Sequence, residues 1–271
     1  MILLFDIGNT HTHVGLADNK RVVKQANIPT LAWFGGTAGA MVRKIVGRNK
    51  IEGVAVCSVV PRATPFVKKF AAGLTRRLEA GGPSGGGVRL LELTPATLRG
   101  VGIDYPKPNS IGPDRLANAV AAKFHFGAPV VVVDFGTAVT FDVVNAKGNY
   151  VGGIIAPGLA VMTNYLHEKT ALLPQIKIRD IKTAIGKSTE EAMLVGAVHG
   201  YRGLVRELIG QLKQELGAKK LPVVATGGYA KLIAAKLPEI SAVTPNLTLE
   251  GLRLVWLKNS ETGEVLSANA G

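Results

Sequence analysis

Two aspartates, Asp6 and Asp134, each end an apolar run in the same short signature, Asp-x-Gly, 128 positions apart. The runs are ILLFDIGNT, from Ile2 to Thr10, and VVVVDFGTAVT, from Val130 to Thr140. A carboxylate at the mouth of a tight turn is an oxygen ligand for a hydrated cation such as Mg2+ that bridges to a phosphate. The glycines two positions on, Gly8 and Gly136, are expected at positive φ, where their missing side chains would let backbone N–H groups approach a phosphate. A single Asp-x-Gly also reads as a hairpin glycine with a capping acid. Its repetition at about half the chain length predicts two similar lobes facing each other across a cleft, with one turn from each pointing in.

A third acid stands in GIDYPKPNSIGPDRLANAVA, from Gly102 to Ala121. Tyr105 and Lys107 precede prolines and are therefore extended, and the chain then turns at Gly112-Pro113 into a helix. Asp114 falls in the first turn, where a carboxylate suits the helix dipole, with Arg115 beside it. This is the pattern of a capping acid, and equally that of a carboxylate presented at a helix start.

These groups need elements to hold them. Strands are predicted at Ile2 to Asp6, Thr12 to Ala17 and Arg21 to Ala26, an antiparallel meander with Ala17-Asp18-Asn19-Lys20 as a turn. A helix over Thr37 to Val46, a buried strand over Gly53 to Val60 ended by Pro61, and an amphipathic helix over Pro65 to Leu78 follow. The glycine-rich tract Gly81 to Gly87 is expected as a surface loop before a strand at Val88 to Leu93. Leu116 to Phe126 reads as a helix, and the lobe boundary is expected near residues 115 to 128, giving lobes 1–120 and 121–271. The second lobe repeats the plan. It has strands at Val130, Val139 and Tyr150 to Ile155, helices at Gly158 to Leu166, Thr189 to Leu216 and Tyr229 to Lys236, and strands at Val223 and Ala242. Three strands followed by alternating helices and strands, occurring twice, is the α/β plan of the duplicated ribonuclease-H-like lobes of the acetate kinase, sugar kinase, Hsp70 and actin superfamily, an analogy that gives no substrate.

Composition narrows the classes. The chain has 271 residues, 47% hydrophobic and 19% charged, enough for two ordinary domains with buried cores. No apolar run reaches membrane-span length and the start has no basic leader, so a cytoplasmic protein is expected. The net charge of +13 would suit a nucleic-acid binder, but the basic residues are scattered and aromatics make up only 6%. A solvated basic surface that attracts anionic substrates is expected, with no nucleic-acid partner. The single cysteine, Cys57, reads as a small buried strand residue. His11 and His13, at strand period two, show no metal-ligand spacing and read as partly exposed strand residues.

Read together, the motifs carry a family resemblance. DIGNT at Asp6, DYP at Asp104 with GPDRLANA from Gly112, DFGTAVTFD at Asp134, GGIIAPGL at Gly152, GKSTEEA at Gly186 and ATGGYA at Ala225 occur in the order and spacing of the type III pantothenate kinases. The chain resembles that family from the first strand to LTLEGL at Leu247 to Leu252; Pro113 is a small departure from a more usual small or aliphatic residue.

The resemblance implies ATP-dependent phosphorylation of the primary hydroxyl of pantothenate, the first committed step toward coenzyme A, with Asp114 as general base. Arg115, Tyr105, Gly112, Pro113 and Thr189 would belong to the pantothenate site. Asp6, Ile7, Gly8, Asn9, Thr10, His11, Thr12 and His13 would form the first phosphate loop, with Asp6 holding Mg2+ directly or through water. Asp134 would hold a monovalent cation, potassium or ammonium, Thr137 would contact the nucleotide, and Thr226-Gly227-Gly228 would carry the adenosine. Gly152, Gly153 and Pro157 would shape the cleft floor or line a dimer contact. The family forms homodimers, for which the helix from Thr189 to Leu216 is the expected contact. The chain has no G-x-x-x-x-G-K-[ST] loop, which excludes a P-loop kinase. Two rivals stay open: a related enzyme acting on another small hydroxy acid or on polyphosphate, and a regulatory protein, since some family members were first noticed as transcription accessory factors.

Overall fold

The computed structural model describes residues 1–79, 88–218 and 220–261. The tract Gly81 to Gly87, expected as a loop, lies outside them. Two compact units result, one of Met1–His125 with the segment from Asn246, the other of Phe126–Pro245.

The first unit contains β1 (Ile2–Ile7), β2 (His11–Ala17), β3 (Val22–Pro29), α1 (Leu31–Phe34), α2 (Ala38–Val46), β4 (Gly53–Ser58), α3 (Thr64–Glu79), β5 (Arg89–Glu92), the short β6 (Gly102–Ile103) and α4 (Pro113–Phe126). Its main sheet runs β3-β2-β1-β4-β5. The meander β1 to β3 is antiparallel, while β4 and β5 are parallel to β1 and to each other, as strands joined through helices must be. Alternate residues Leu3, Phe5 and Ile7 enter a core with Val54 and Val56 of β4, Val42 and Ile45 of α2 and Val67 of α3. A strand buried on both faces reads as a continuous apolar run, which is why ILLF shows no alternation.

The second unit holds β7 (Val130–Phe135), β8 (Ala138–Val144), β9 (Asn149–Pro157), α5 (Leu159–Lys169), α6 (Thr189–Val195), a π turn at Gly196–Gly200, α7 (Tyr201–Glu215), β10 (Val223–Thr226), α8 (Ala230–Ala234) and β11 (Ala242–Val243). Its strands run β11-β10-β7-β8-β9, the order of the first sheet repeated. The repeat extends to single residues. In both β1 and β7 four buried residues precede a partly exposed aspartate and one more buried residue. Asp6 and Asp134 each occupy the fifth position, opposite His13 on β2 and Thr140 on β8. The helix expected from Thr189 to Leu216 is one helical run interrupted by the π turn.

The C-terminal helix α9 (Leu247–Glu261) was not among the expected elements. It is buried on nearly every side, Leu247, Leu252, Val255, Trp256, Glu250 and Arg253 included, so it lacks the one-sided apolar stripe that marks a surface helix. It packs on the first unit. Leu249 Cδ1 is 3.2 Å from the Cβ position of Gly15, and the Trp256 ring fills the place a side chain at Gly53 would need. Gly251 lies so close to the Ala117 backbone of α4 that no Cβ fits. Arg253 donates to Asn19 O at 2.7 Å, and Thr248 Oγ1 donates to Asn118 Oδ1 at 2.8 Å. The division expected between residues 120 and 121, with everything after it in the second lobe, therefore differs in two ways: the units part at His125/Phe126, and α9 returns to the first.

Candidate functional site

In the first unit the β1–β2 loop is closed by Gly8 N–H donating to His11 O at 3.0 Å. Gly8 and Gly136 do not have positive φ, contrary to expectation. Crowding is the operative constraint at Gly8, because a Cβ there would stand 3.0 Å from His11 O; at Gly136 the corresponding distance to Ala138 O is an ordinary 3.4 Å. Thr30 clamps the loop. Its N–H donates to Thr10 O at 3.0 Å and its Oγ1 donates to Gly8 O at 2.7 Å. Behind it Trp33 Nε1 donates to Thr12 Oγ1 at 3.1 Å, and the Thr12 and Thr30 hydroxyls are 3.2 Å apart.

The eight residues expected to form the first phosphate loop therefore divide. Asn9, Thr10 and His11 are exposed and Gly8 is partly so; Ile7 and Thr12 are buried, as an apolar core residue and as an anchor; His13 Nδ1 pairs with Asn27 Oδ1 at 2.7 Å. Thr30 and Trp33, the residues that brace the loop, escaped the sequence reading. They lie outside the repeated motif and meet it only through strand pairing.

Asp6 stands partly exposed at the end of β1, with Cys57 directly opposite on β4 and Cys57 Sγ donating to Asp6 Oδ1 at 3.4 Å. Burial pushes the Cys57 thiol well above its ordinary range, and the charges of Asp6 and Asp114 push it further, so both carboxylates lie within electrostatic reach of one sulfur. Asp114 sits in the first turn of α4, behind Pro113. Gly112 O accepts from Arg115 N at 3.0 Å and Leu116 N at 3.3 Å, starting the helix. Asp114 Oδ1 accepts from Arg115 N at 2.8 Å and presses on Gly112, where a Cβ would come within 2.5 Å of it. Burial raises the Asp114 pKa, and the Arg115 N–H and guanidinium offset this only in part. A carboxyl held so at a helix start is suited to accept a proton. Tyr105 is exposed in the extended segment before α4.

The second unit builds a matching loop. Gly136 N–H donates to Ala138 O at 3.0 Å and Gly158 N–H to Thr137 O at 3.1 Å. Gly158 is obligatory, since the carbonyls of Gly136 and Thr137 occupy the space of its Cβ. Gly227, at φ 90°, brings the turn after β10 against the end of β7: a Cβ there would be 2.5 Å from Asp134 Oδ1 and 2.7 Å from the Phe135 backbone. Gly228 beside it is exposed, as is Thr137. Gly152 has φ 127° next to the bulge where β8 and β9 shift register, which gives it a backbone role. Pro157 O accepts from Tyr201 Oη at 3.0 Å; burial pushes that phenol to about 12. Thr189 is the first residue of α6, exposed and set by the N-cap Ser188, whose Oγ accepts from Glu191 N at 3.2 Å, while Glu191 Oε2 accepts from Lys187 N at 2.8 Å.

No group of three or more His, Cys, Asp and Glu side chains that could hold a metal occurs among the described residues. A magnesium ion that keeps most of its water and binds through one carboxylate and substrate phosphates needs no such cage, and Asp6 fits that demand.

The two units repeat one α/β plan, a mixed sheet presenting an aspartate and a glycine loop at the end of its central strand, and this duplicated fold is similar to that of solved sugar-kinase-like and Baf-family proteins. Solved structures agree at the level of fold alone. A conserved Baf-family protein of Campylobacter jejuni, described as a transcriptional activator, aligns with TM-score 0.56 at 17% identity over 96% of this chain and 99% of its own. A Sinorhizobium meliloti protein assigned as a 2-dehydro-3-deoxygalactonokinase gives 0.53 at 13% identity over 96% and 99%.

The chain belongs to the type III pantothenate kinases, whose family model matches residues 2–211. It is 43% identical to the type III pantothenate kinase of Methylacidiphilum infernorum (isolate V4) over 94% of this chain and 87% of the relative. It is 44% identical to that of Akkermansia muciniphila over 93% and 96%, and 37% identical to that of Geobacter sulfurreducens over 96% and 100%. The protein is a pantothenate kinase, a transferase that phosphorylates pantothenate in coenzyme A biosynthesis with ATP. No helix among the described residues is long and apolar enough to cross a membrane.

Proposed function

We propose that Asp114 accepts the proton of the primary hydroxyl of pantothenate as that oxygen attacks the γ-phosphate of ATP. The observation that carries this is the half-buried carboxyl in the first turn of α4, with its pKa raised by burial and its Oδ1 fixed by the Arg115 N–H. A base is most effective when its pKa approaches the working pH, and burial moves Asp114 that way. Arg115, with Tyr105, Gly112, Pro113 and Thr189, binds the acceptor, the guanidinium suiting its carboxylate. The Gly8–His11 loop and Thr137 hold phosphates, and Gly227-Gly228 carries the adenosine, where bare backbone admits a flat base. Asp6 would hold Mg2+ and Asp134 potassium or ammonium, and these cations would neutralise phosphate charge when bound. A cytoplasmic location accords with this chemistry.

A coupled assay of ADP release from ATP, Mg2+ and potassium should show turnover that depends on pantothenate. Turnover with another hydroxy acid but none with pantothenate would overturn the acceptor site as assigned.

The homodimer belongs to the same reading, and the structure favours a broader face than the long helix alone. In the second unit Val161, Met162, Tyr165 and Leu166 of α5 are exposed, as are Ile155 and Leu172. On the neighbouring helical run Gly196, Gly200 and Gly203 are exposed, with open space where a Cβ would stand. Exposed apolar side chains and bare helix backbone are what a close helix-to-helix interface uses. Sedimentation equilibrium should give twice the chain mass, reduced to the monomer by Tyr165→Glu with Leu166→Glu. A wild-type monomer at micromolar concentration would remove the dimer.

A further inference from the structure

We propose that Cys57 is a positioning residue: its thiol donates to Asp6 Oδ1 and sets the orientation in which that carboxylate meets Mg2+. The inference rests on the reading of Asp6 as the magnesium residue. Three observations support it.

Asp6 and Cys57 are direct partners in the parallel β1–β4 ladder, so the backbone fixes their side chains at the same level. Their Sγ–Oδ1 separation of 3.4 Å is a hydrogen-bond distance for the large sulfur atom.

The duplication supplies an independent control. In the second unit the residue in register with Asp134 on the parallel neighbour strand is Thr226. Every other buried residue of β4 and β10 is Gly, Val or Ala. Among the buried positions of the two strands Cys57 and Thr226 are thus the exceptions, each in register with the aspartate, and each is a small side chain that can donate a hydrogen bond. Simple core filling would be met as well by valine or alanine.

A thiol is a weak donor. It can orient Asp6 while leaving the carboxylate its charge for a cation. A lysine or arginine at the same position would compete with the metal.

Because the chain has a single cysteine, its infrared S–H stretching band belongs to one group. In the metal-free protein the band should lie at lower frequency than that of an unbonded thiol, and Asp6→Asn should shift it. Calorimetric titration of Mg2+ in the presence of a non-hydrolysable ATP analogue should show weaker binding in Cys57→Val by about two- to threefold, the low end for a hydrogen bond, as suits a weak donor. Cys57→Ser should restore it, and the KM for pantothenate should stay unchanged in both. Cys57→Ala replaces the valine variant if the branched side chain prevents folding. An S–H band indifferent to Asp6→Asn, or magnesium affinity unchanged in both apolar variants while Asp6→Asn weakens it, overturns the proposal. If Asp6→Asn leaves magnesium affinity unchanged, the assignment of Asp6 itself fails and takes this inference with it.

Discussion

Asp114→Asn is expected to reduce pantothenate-dependent turnover by about 10²- to 10⁴-fold, the usual worth of a positioned general base. The amide retains the shape of the carboxyl and its oxygen can still accept from Arg115 N, so α4 should start as before. ATP binding should be preserved. The substitution should also leave the melting temperature at neutral pH equal or higher. An acid whose folded pKa is raised binds its proton more tightly in the folded state than in the unfolded state. Stability therefore declines as pH rises from the ordinary carboxylate value through the raised one, and above it the charged side chain is a net cost that asparagine removes. The same raised pKa places the acid limb of the wild-type kcat/KM profile above the ordinary carboxylate range, with activity lost as pH falls through it. An inactive variant that melts far below the wild type would indicate lost structure instead, and near-normal turnover would take Asp114 out of the base role.

Much of the framework was legible because it rests on local rules. The runs ILLF and VVVV are too short for helices of ordinary length and too apolar for exposed strands, and both are central strands. The aspartates were visible as strand ends, since Asp-x-Gly interrupts an apolar run in the same way twice. What failed depended on contacts that residue type does not show. The reason for Gly8 is the His11 carbonyl, a crowding constraint that residue type alone does not separate from positive φ. Thr12 is expected both to open the second strand and to belong to the phosphate loop; it lies in that strand but is buried beneath Thr30 and Trp33, because β2 pairs with β3 and turns it inward. Helix α9 escaped because a helix buried on nearly all sides has no period to detect, and its return to the first unit is set by the fit of Trp256 on Gly53 and of Gly251 on Ala117. Cys57 was read as a buried strand residue, and it is one; its pairing with Asp6 follows from register, which sequence does not show.

The second large effect concerns the cation assigned to Asp134. Replacing potassium by sodium at constant ionic strength is expected to cut turnover by about tenfold or more, a barrier change of at least ~1.4 kcal/mol. The physical basis is local. Asp134 Oδ1 is confined by the Gly227 turn, with the backbone of Phe135 on the same side, so its place depends on a glycine that no side chain can replace without displacing the carboxylate. A rigid oxygen site discriminates among cations by size and by the cost of stripping their water, which is higher for sodium than for the larger potassium or ammonium. The decisive form of the test is a double comparison. Wild type should lose activity when potassium is withdrawn, whereas Asp134→Asn should be slow in either salt, so that the two perturbations do not add. Gly227→Ala, which drives a Cβ into Asp134 Oδ1, should blunt the potassium response in the same direction. Because Asp134 lies in the second unit, among residues distinct from those that support Asp6 and Asp114, the cation response of Asp114→Asn should persist in whatever residual turnover remains. Equal wild-type activity in potassium and sodium would remove the cation from Asp134 and leave that carboxylate as a bracing group for the Gly227 turn.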